Sequence, residues 1–371
     1  MIYLDLAATA PVRREVLEAM WPFLTHDFGN PASHHEVGAS ARRALGEARA
    51  RVARSLGARA GELTFCSGGT ESVNTAIKGI ALAEPRGRHI VVSAVEHPAV
   101  LESAAWLGRL GYDIATLPVD ADGLVDPGAL EAALRDDTTL VSIQHANNEV
   151  GTVQPIAELA AAAAARGVPF HTDAVQAAGW VAPDALGPGV TVLSISGHKL
   201  GTPKGVGLLW MDRRQRWEPL VHGGGQQGGR RSGTEDVAGA VALATALELG
   251  HGDAALVAAR RDRFVALVEQ GVPGAVLTGH RERRLPGHAS FVLTGRARSG
   301  ESLLVDLEAR GVVSSSGSAC AAGSDEPSHV LTAMGVDRET AQTAIRCTFD
   351  DTVDDAQLER AAAALATAAG A

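Results

Sequence analysis

Of the 33 Lys and Arg residues in this chain, only Lys78, Lys199 and Lys204 are lysines, and two of those lie in one stretch, "SISGHKLGTPKGVG" at 194–207. Arginine and lysine serve solubility and surface pairing about equally, but only a lysine amine can lose its proton in a pocket and attack a carbonyl. A chain that otherwise meets its need for positive charge with guanidinium therefore draws attention to Lys199. Two further clusters offer chemistry that would suit such an amine. "HTDAVQ" places Asp173 at the end of an apolar run, and "CSGGTES" sets two glycines and Thr70 ahead of a helical stretch, where free backbone amides and the helix dipole favour an anion. Of the three cysteines, Cys66 and Cys347 sit in short apolar runs, where a thiol acts as a small buried hydrophobe. Cys320 lies instead in "VVSSSGSACAAGSDEP", a run of small residues that reads as a loop. Three scattered cysteines without a CxxC pair give neither a disulfide framework nor a structural zinc site.

The elements that must position these groups are legible as short β-rich runs: "LTFCS" (63–67), "HIVVSAV" (89–95), "YDIATLPV" (112–119), "TTLVSIQ" (138–144), "VPFHTD" (168–173), "VTVLSIS" (190–196) and "GVGLLWM" (205–211). Helical stretches such as "PGALEAALRD" and "IAELAAAAAARG" separate several of them, the latter ended by Gly167. Strands alternating with helices imply an α/β fold with a mostly parallel sheet covered on both faces. Ligands bind such sheets beyond the carboxyl ends of the strands. That rule puts 67–70, 96–97, 145–149, 173–176 and 196–199 on one rim. After "GGGQQGGRRSGTED" the texture becomes Ala-rich helix and then alternates again through "HASFVLTG", "GESLLVDLEARGVV", "AIRCTFD" and an amphipathic helix from Asp354. The expected organisation is a large domain over 15–240 and a smaller α+β domain over 241–371, with residues 1–14 packing on the latter.

A hydrophobic content of 46% with 20% charged residues fits an ordinary globular chain. The formal net charge of −10 argues against nucleic acid or an anionic membrane as the main partner. No apolar run approaches the roughly 18 residues of a membrane span, and the N-terminus lacks the pattern of a secretory signal, so a cytoplasmic location is expected.

A reactive amine, a buried carboxylate and an anion cradle together are what pyridoxal phosphate requires: an aldehyde partner, a group that keeps the pyridine nitrogen protonated, and a phosphate site. In their sequence order, "YLDLAATAP", "FGNPAS", "FCSGGTESVNTAIKG", "EHPAVLES", "NNEVGTVQPI", "HTDAVQAAG", "SISGHKLGTPKGVG", "GGGQQGGRRSGT", "SSGSAC" and "AIRCTF" resemble the landmarks of the cysteine desulfurases. These are pyridoxal-phosphate enzymes of aminotransferase class V with the aspartate aminotransferase-like fold, fold type I. The resemblance covers essentially the whole chain. It implies a seven-stranded large-domain sheet, with Lys199 as the Schiff-base lysine, His97 stacked on the cofactor ring, Asp173 paired with the pyridine nitrogen, and Gln176 and Asn148 on the ring-oxygen or substrate side. Gly69, Thr70, Ser196 and His198 would hold the phosphate, and Thr234 would reach the phosphate of the other subunit in a homodimer. Arg346 and Asn30 would bind the substrate carboxylate, a role that suits a planar guanidinium. One departure is "RCTFDD", which places Asp350 where a glycine is usual.

The implied reaction converts L-cysteine to L-alanine, with sulfur passing to Cys320 as a persulfide and then to an acceptor protein. The acceptor stays open among iron–sulfur assembly, transfer-RNA thiolation, DNA modification and biosynthetic routes. A different lyase or a selenocysteine lyase of the same fold would make Cys320 dispensable, a class-V aminotransferase would have no use for "SSGSAC", and a non-catalytic sulfur carrier would have no use for Lys199 and Asp173.

Overall fold

The computed structural model describes residues 1–83, 86–181, 187–295, 299–317 and 326–370. The chain opens with a short strand, β1 (Ile2–Tyr3), and two helices, α1 (Arg14–Thr25) and α2 (Glu36–Ser55). Strands and helices then alternate as β2 (Leu63–Cys66), α3 (Gly69–Leu82), β3 (His89–Ser93), α4 (Pro98–Gly108), β4 (Asp113–Leu117), α5 (Pro127–Ala133), β5 (Thr138–Ser142), α6 (Ile156–Ala165), β6 (Phe170–Asp173), β7 (Val192–Ser196) and β8 (Gly207–Met211). Each of the seven apolar runs contains one of the strands β2 to β8.

These strands form one seven-stranded sheet in the order β2-β8-β7-β6-β5-β3-β4. Only β8 runs against its neighbours, β2 and β7. The link from β7 to β8 is too short for a crossover, and a short link joins antiparallel strands. Successive side chains on a strand point to opposite faces. Thus Val91 of β3 packs into one core with Phe170 and α1, α2 and α7 (Val237–Leu249). Its neighbours Ile90 and Val92 pack into a second core under α3 and α4. With both faces covered, β3, β5, β6 and β7 are buried along their whole length, which is why they read as continuous apolar runs.

The remaining elements are α8 (Ala254–Gly271), β9 (Ala275–Leu277), β10 (His288–Leu293), α9 (Gly300–Ala309), β11 (Val312–Val313), α10 (His329–Ala333), α11 (Arg338–Ala341), β12 (Ile345–Thr348) and α12 (Asp355–Ala368). An antiparallel sheet β12-β10-β9 packs under α8 and α12. Phe264 meets Phe291 and Phe349 edge-on, with ring centroids 6.2 and 6.3 Å apart. Ile2 and Leu4 bury in this same core, and β1 pairs in parallel with β11. The division expected at 240/241 falls inside α7, whose buried residues through Ala246 belong to the first core. Ala-rich composition is continuous across α7 and α8, so only packing separates them. Among the described residues no single helix is long and apolar enough to cross a membrane.

Candidate active site

The carboxyl ends of the sheet open on a cavity of about 670 Å³ whose lining includes Gly69, Thr70, His97, Asn148, Asp173, Gln176, Ser196, His198, Lys199 and Arg346. β7 ends at Ser196, and a single 3-10 turn over Gly197–Lys199 brings the lysine back over the rim. The Lys199 Nζ donates to the carbonyl oxygens of Ala7 at 2.5 Å and Ala8 at 2.7 Å. Gln176 Nε2 donates to the Ala7 oxygen as well, at 3.0 Å. At the start of α3, Gly68 adopts φ +155°, open to glycine alone, and a Cβ on Gly69 would lie 2.8 Å from Val175 Cγ2. Gly68 is thus fixed by its backbone conformation, and the bare Gly69 lets the start of α3, with its first amides, pack close against Val175.

Burial governs the charges of this rim. Asp173 accepts from the Val175 amide at 2.9 Å, and desolvation pushes its carboxyl up to about 6, against the pull of Lys199. Glu96, beneath His97, is pushed up to about 8 by complete burial, although its Oε1 accepts from Ser93 Oγ and the Gln144 amide. Its Oε2 is buried with no hydrogen-bond partner. His97 caps α4, its Nδ1 accepting from the Ala99 amide at 3.1 Å, which leaves the proton of a neutral ring on Nε2. Burial, aided by Lys199, lowers the His97 pKa, so the ring is neutral near pH 7. The same causes, burial first and Lys199 second, bring His198 down to about 4.

The opposite wall comes from distant parts of the chain. Arg346, on β12, is 1% exposed. Its Nη1 donates to the carbonyls of Asn148 at 2.8 Å and Gly317 at 3.1 Å, and its Nη2 lies 2.6 Å from Asp5 Oδ1. Ser328 donates to Glu149 Oε2 at 2.5 Å, and His329 Nε2 lies 3.0 Å from the Glu96 carbonyl. Glu149, Gly317, Ser328 and His329 all line the cavity.

A family model described as aminotransferase class-V matches residues 2–360. The cysteine desulfurase IscS of Dictyoglomus turgidum is 47% identical over 353 residues, covering 94% of this chain and 89% of its own. The chain belongs to the cysteine desulfurase family of class-V aminotransferases. Among solved structures, a NifS-like protein matches this desulfurase-family chain with a TM-score of 0.90 at 34% identity, covering 99% of this chain and 98% of its own. SspA, solved in complex with cysteine, matches with a TM-score of 0.84 at 34% identity, covering 94% of this chain and 99% of its own.

The family depends on pyridoxal 5′-phosphate, and the residues present suit that group. Gly69 and Thr70, the first residues of α3, line the cavity, and a helix N-terminus there suits an anion. Asp173 is a buried carboxylate whose charge is penalised until a cation such as a protonated ring nitrogen faces it. Asn30 and Thr234 do not line the cavity and are exposed, the Asn30 side chain accepting from its own turn at Ala32. Cys320 lies outside the described residues. Lys204 is exposed in a turn, and Lys78 sits 4.7 Å over the Trp106 ring. Cys66 and Cys347 are buried, their thiols pushed up to about 12. Asp350 turns away from Arg346, with Oδ1 accepting from the Thr352 amide and hydroxyl. Asp5, Ala7 and Ala8 fall within the landmark "YLDLAATAP" without being singled out in it, and Ser328 and His329 carry no charge pattern or spacing that sets them apart. The one local signal is "PSHVLT", where Ser328 reads as a helix N-cap.

Proposed function

We propose that this chain is a pyridoxal-phosphate-dependent cysteine desulfurase in which L-cysteine gives its sulfur to Cys320. The observation that carries the reading is the meeting of Lys199, buried Asp173 and buried Arg346 in one cavity: an amine for an aldehyde, a carboxylate for a ring nitrogen and a guanidinium for an α-carboxylate. Bound pyridoxal phosphate supplies the electron sink for breaking bonds at the amino acid's α- and β-carbons. Gly69, Thr70, Ser196 and His198 would hold its phosphate, Asp173 would keep its ring nitrogen protonated, His97 would pack against its ring, and Gln176 and Asn148 would serve the ring-oxygen and substrate side. Lys199 would supply the amine for the aldehyde and, through Nζ, would move protons at the substrate carbons. Arg346 receives the substrate carboxylate. The Cys320 thiolate attacks the substrate sulfur and the Cβ–S bond breaks with its electron pair left on carbon, which takes up a proton. L-cysteine and the Cys320 thiol thereby become L-alanine and a Cys320 persulfide, without an external oxidant. The chain enters and leaves 318–325 at Gly317 and near Ser328, both of which line the cavity, which supports this role for Cys320. The persulfide then passes to an acceptor protein in the cytoplasm.

The working form in this reading is a homodimer. Leu17, Trp21 and Leu24 share one face of α1, and with Phe28 they expose a large apolar stripe that a second copy would cover. Thr234 stands in a Gly-rich loop tied to α3 by the Arg231–Glu71 ion pair, and in this reading it reaches a partner's phosphate. A monomer in sedimentation at micromolar concentration would remove this part of the reading.

The deciding experiment is Cys320→Ala, followed by the cofactor's visible absorbance and by alanine and sulfide production. The variant is expected to stay yellow, to respond spectrally to L-cysteine, and to form no persulfide. Release of alanine and sulfide at the normal rate would instead assign a lyase that eliminates sulfur directly.

A further inference from the structure

Arg346 does not face the cavity alone. Asp5 Oδ1 lies 2.6 Å from its Nη2, an ion pair across 341 residues of sequence. Two physical roles are open to a carboxylate beside a guanidinium that must receive another carboxylate. A mobile one occupies the guanidinium and competes with the ligand, whereas a fixed one orients the guanidinium plane and leaves its other hydrogens for the ligand.

The surroundings of Asp5 favour the second role. Its backbone makes a parallel bridge to Thr348, on the same strand as Arg346. The Leu6 amide donates to the Thr348 carbonyl at 3.2 Å and the Ala7 amide to Thr348 Oγ1 at 2.9 Å. The Tyr3 hydroxyl lies 2.8 Å from the Thr9 carbonyl and 3.1 Å from that of Asp5. Asp5 is thus pinned on both sides of its own Cα. The guanidinium is held at Nη1 by the Asn148 and Gly317 carbonyls, while Nη2 keeps a second hydrogen beyond the one directed at Asp5. A few residues further on, the carbonyls of Ala7 and Ala8 hold Lys199 Nζ. One short segment therefore touches both Arg346 and Lys199.

We infer that Asp5 is a positioning residue for substrate recognition: it sets the plane of Arg346 and so the direction from which the α-carboxylate is read. This rests on the function proposed above. Its consequence is specificity for ligands that carry a carboxylate, separate from the chemistry at sulfur.

The test compares L-alanine with ethylamine, which lacks the carboxylate, as ligands of the holoenzyme, followed through the cofactor's absorbance. In Asp5→Ala the preference for L-alanine should fall about tenfold or more, the scale of one lost hydrogen bond to a charged group. Ethylamine binding should hold within about threefold. Asp5→Asn, which keeps an acceptor without the charge, should fall between, and the KM for L-cysteine should rise in both with the larger part of the loss in KM. Unchanged or tighter L-alanine binding would show Asp5 to be a competitor or a bystander. Equal weakening of both ligands would show only general damage to the site and would equally overturn the role. If Asp5→Ala does not fold, Asp5→Asn decides by the same ratio. A wild-type enzyme that fails to desulfurise L-cysteine would refute the proposed function, yet the L-alanine to ethylamine ratio would still report on Asp5.

Discussion

The two walls of the cavity are built in different ways. On the sheet side, Asp173 ends its strand and Gly69, His97 and Lys199 each follow closely on theirs, so position comes from the sheet itself. On the facing side, Asp5, Ala7, Ala8, Gly317, Ser328 and Arg346 come from both ends of the chain and meet only through tertiary contacts. The sheet wall bears strained electrostatics: Asp173 is pushed up to about 6 and Glu96 to about 8, both by burial. The facing wall has its buried cation paired, with Arg346 against Asp5. The contrast suggests that the sheet wall is tuned toward a cofactor that completes its charge balance, whereas the facing wall is already balanced and serves to orient a ligand.

The largest test of this contrast is Asp173→Ala. If the sheet wall's carboxylate exists to keep a ring nitrogen protonated, its loss should raise the barrier by more than ~4 kcal/mol and cut turnover by about 10³-fold or more. Steady-state assay of L-alanine production, with cofactor content measured beside it, checks this. A loss under about tenfold with full cofactor occupancy would mean that the sheet wall is not tuned as argued.

The difference between the walls also explains what the sequence makes legible. Central parallel strands are buried on both faces, so "HIVVS" and "VLSIS" announce themselves as apolar runs, and a polar residue just beyond such a run belongs to the rim by geometry. Lys199 and Asp173 are found that way. Asp5 falls within the landmark "YLDLAATAP", but nothing there marks its role, because its partner lies at the other end of the chain and nothing local signals an ion pair between them. A boundary at 240/241 misplaces α7 for a related reason: Ala-rich helices look alike whichever core they join. Arg346 and Cys320 are reached through family resemblance, and the role of Arg346 gains physical support from its place in the cavity.

Glu96 gives a test of intermediate size, on the cofactor-free protein. Its carboxyl titrates near 8 in the fold, well above an unfolded value near 4.3. Between those values the folded state holds a proton that the unfolded chain has released, so stability falls as pH rises through this window and the contribution is gone above about 8. Glu96→Gln keeps an acceptor for Ser93 and Gln144 and removes the titration. The variant should therefore be more stable than wild type at pH 8 by roughly a few kcal/mol, because each tenfold difference in proton affinity between the folded and unfolded chain is worth about 1.4 kcal/mol. Near pH 4.5 the gain should vanish. Chemical denaturation at the two pH values measures it, and a gain of the same size at both would point to packing rather than charge.

The smallest effect is expected at Asp350, and it sharpens the comparison because it asks whether the facing wall depends on every charge near it. Sequence places Asp350 four residues after Arg346, where a glycine is usual in the family, and a carboxylate there could in principle draw the guanidinium away from a ligand. The structure turns it elsewhere: its Oδ1 accepts from the Thr352 amide at 3.1 Å and the Thr352 hydroxyl at 2.5 Å, closing the turn before α12. Arg346 has Asp5 as its carboxylate partner instead. Replacing Asp350 by glycine therefore removes a local turn contact and adds backbone freedom to the unfolded chain, which together should cost about 1 kcal/mol of stability. The KM for L-cysteine should stay within about twofold, since no hydrogen bond to Arg346 is lost. A KM change as large as that of Asp5→Ala would show that Arg346 answers to the summed charge around it, and the fixed pairing with Asp5 would no longer account for how the facing wall reads its ligand.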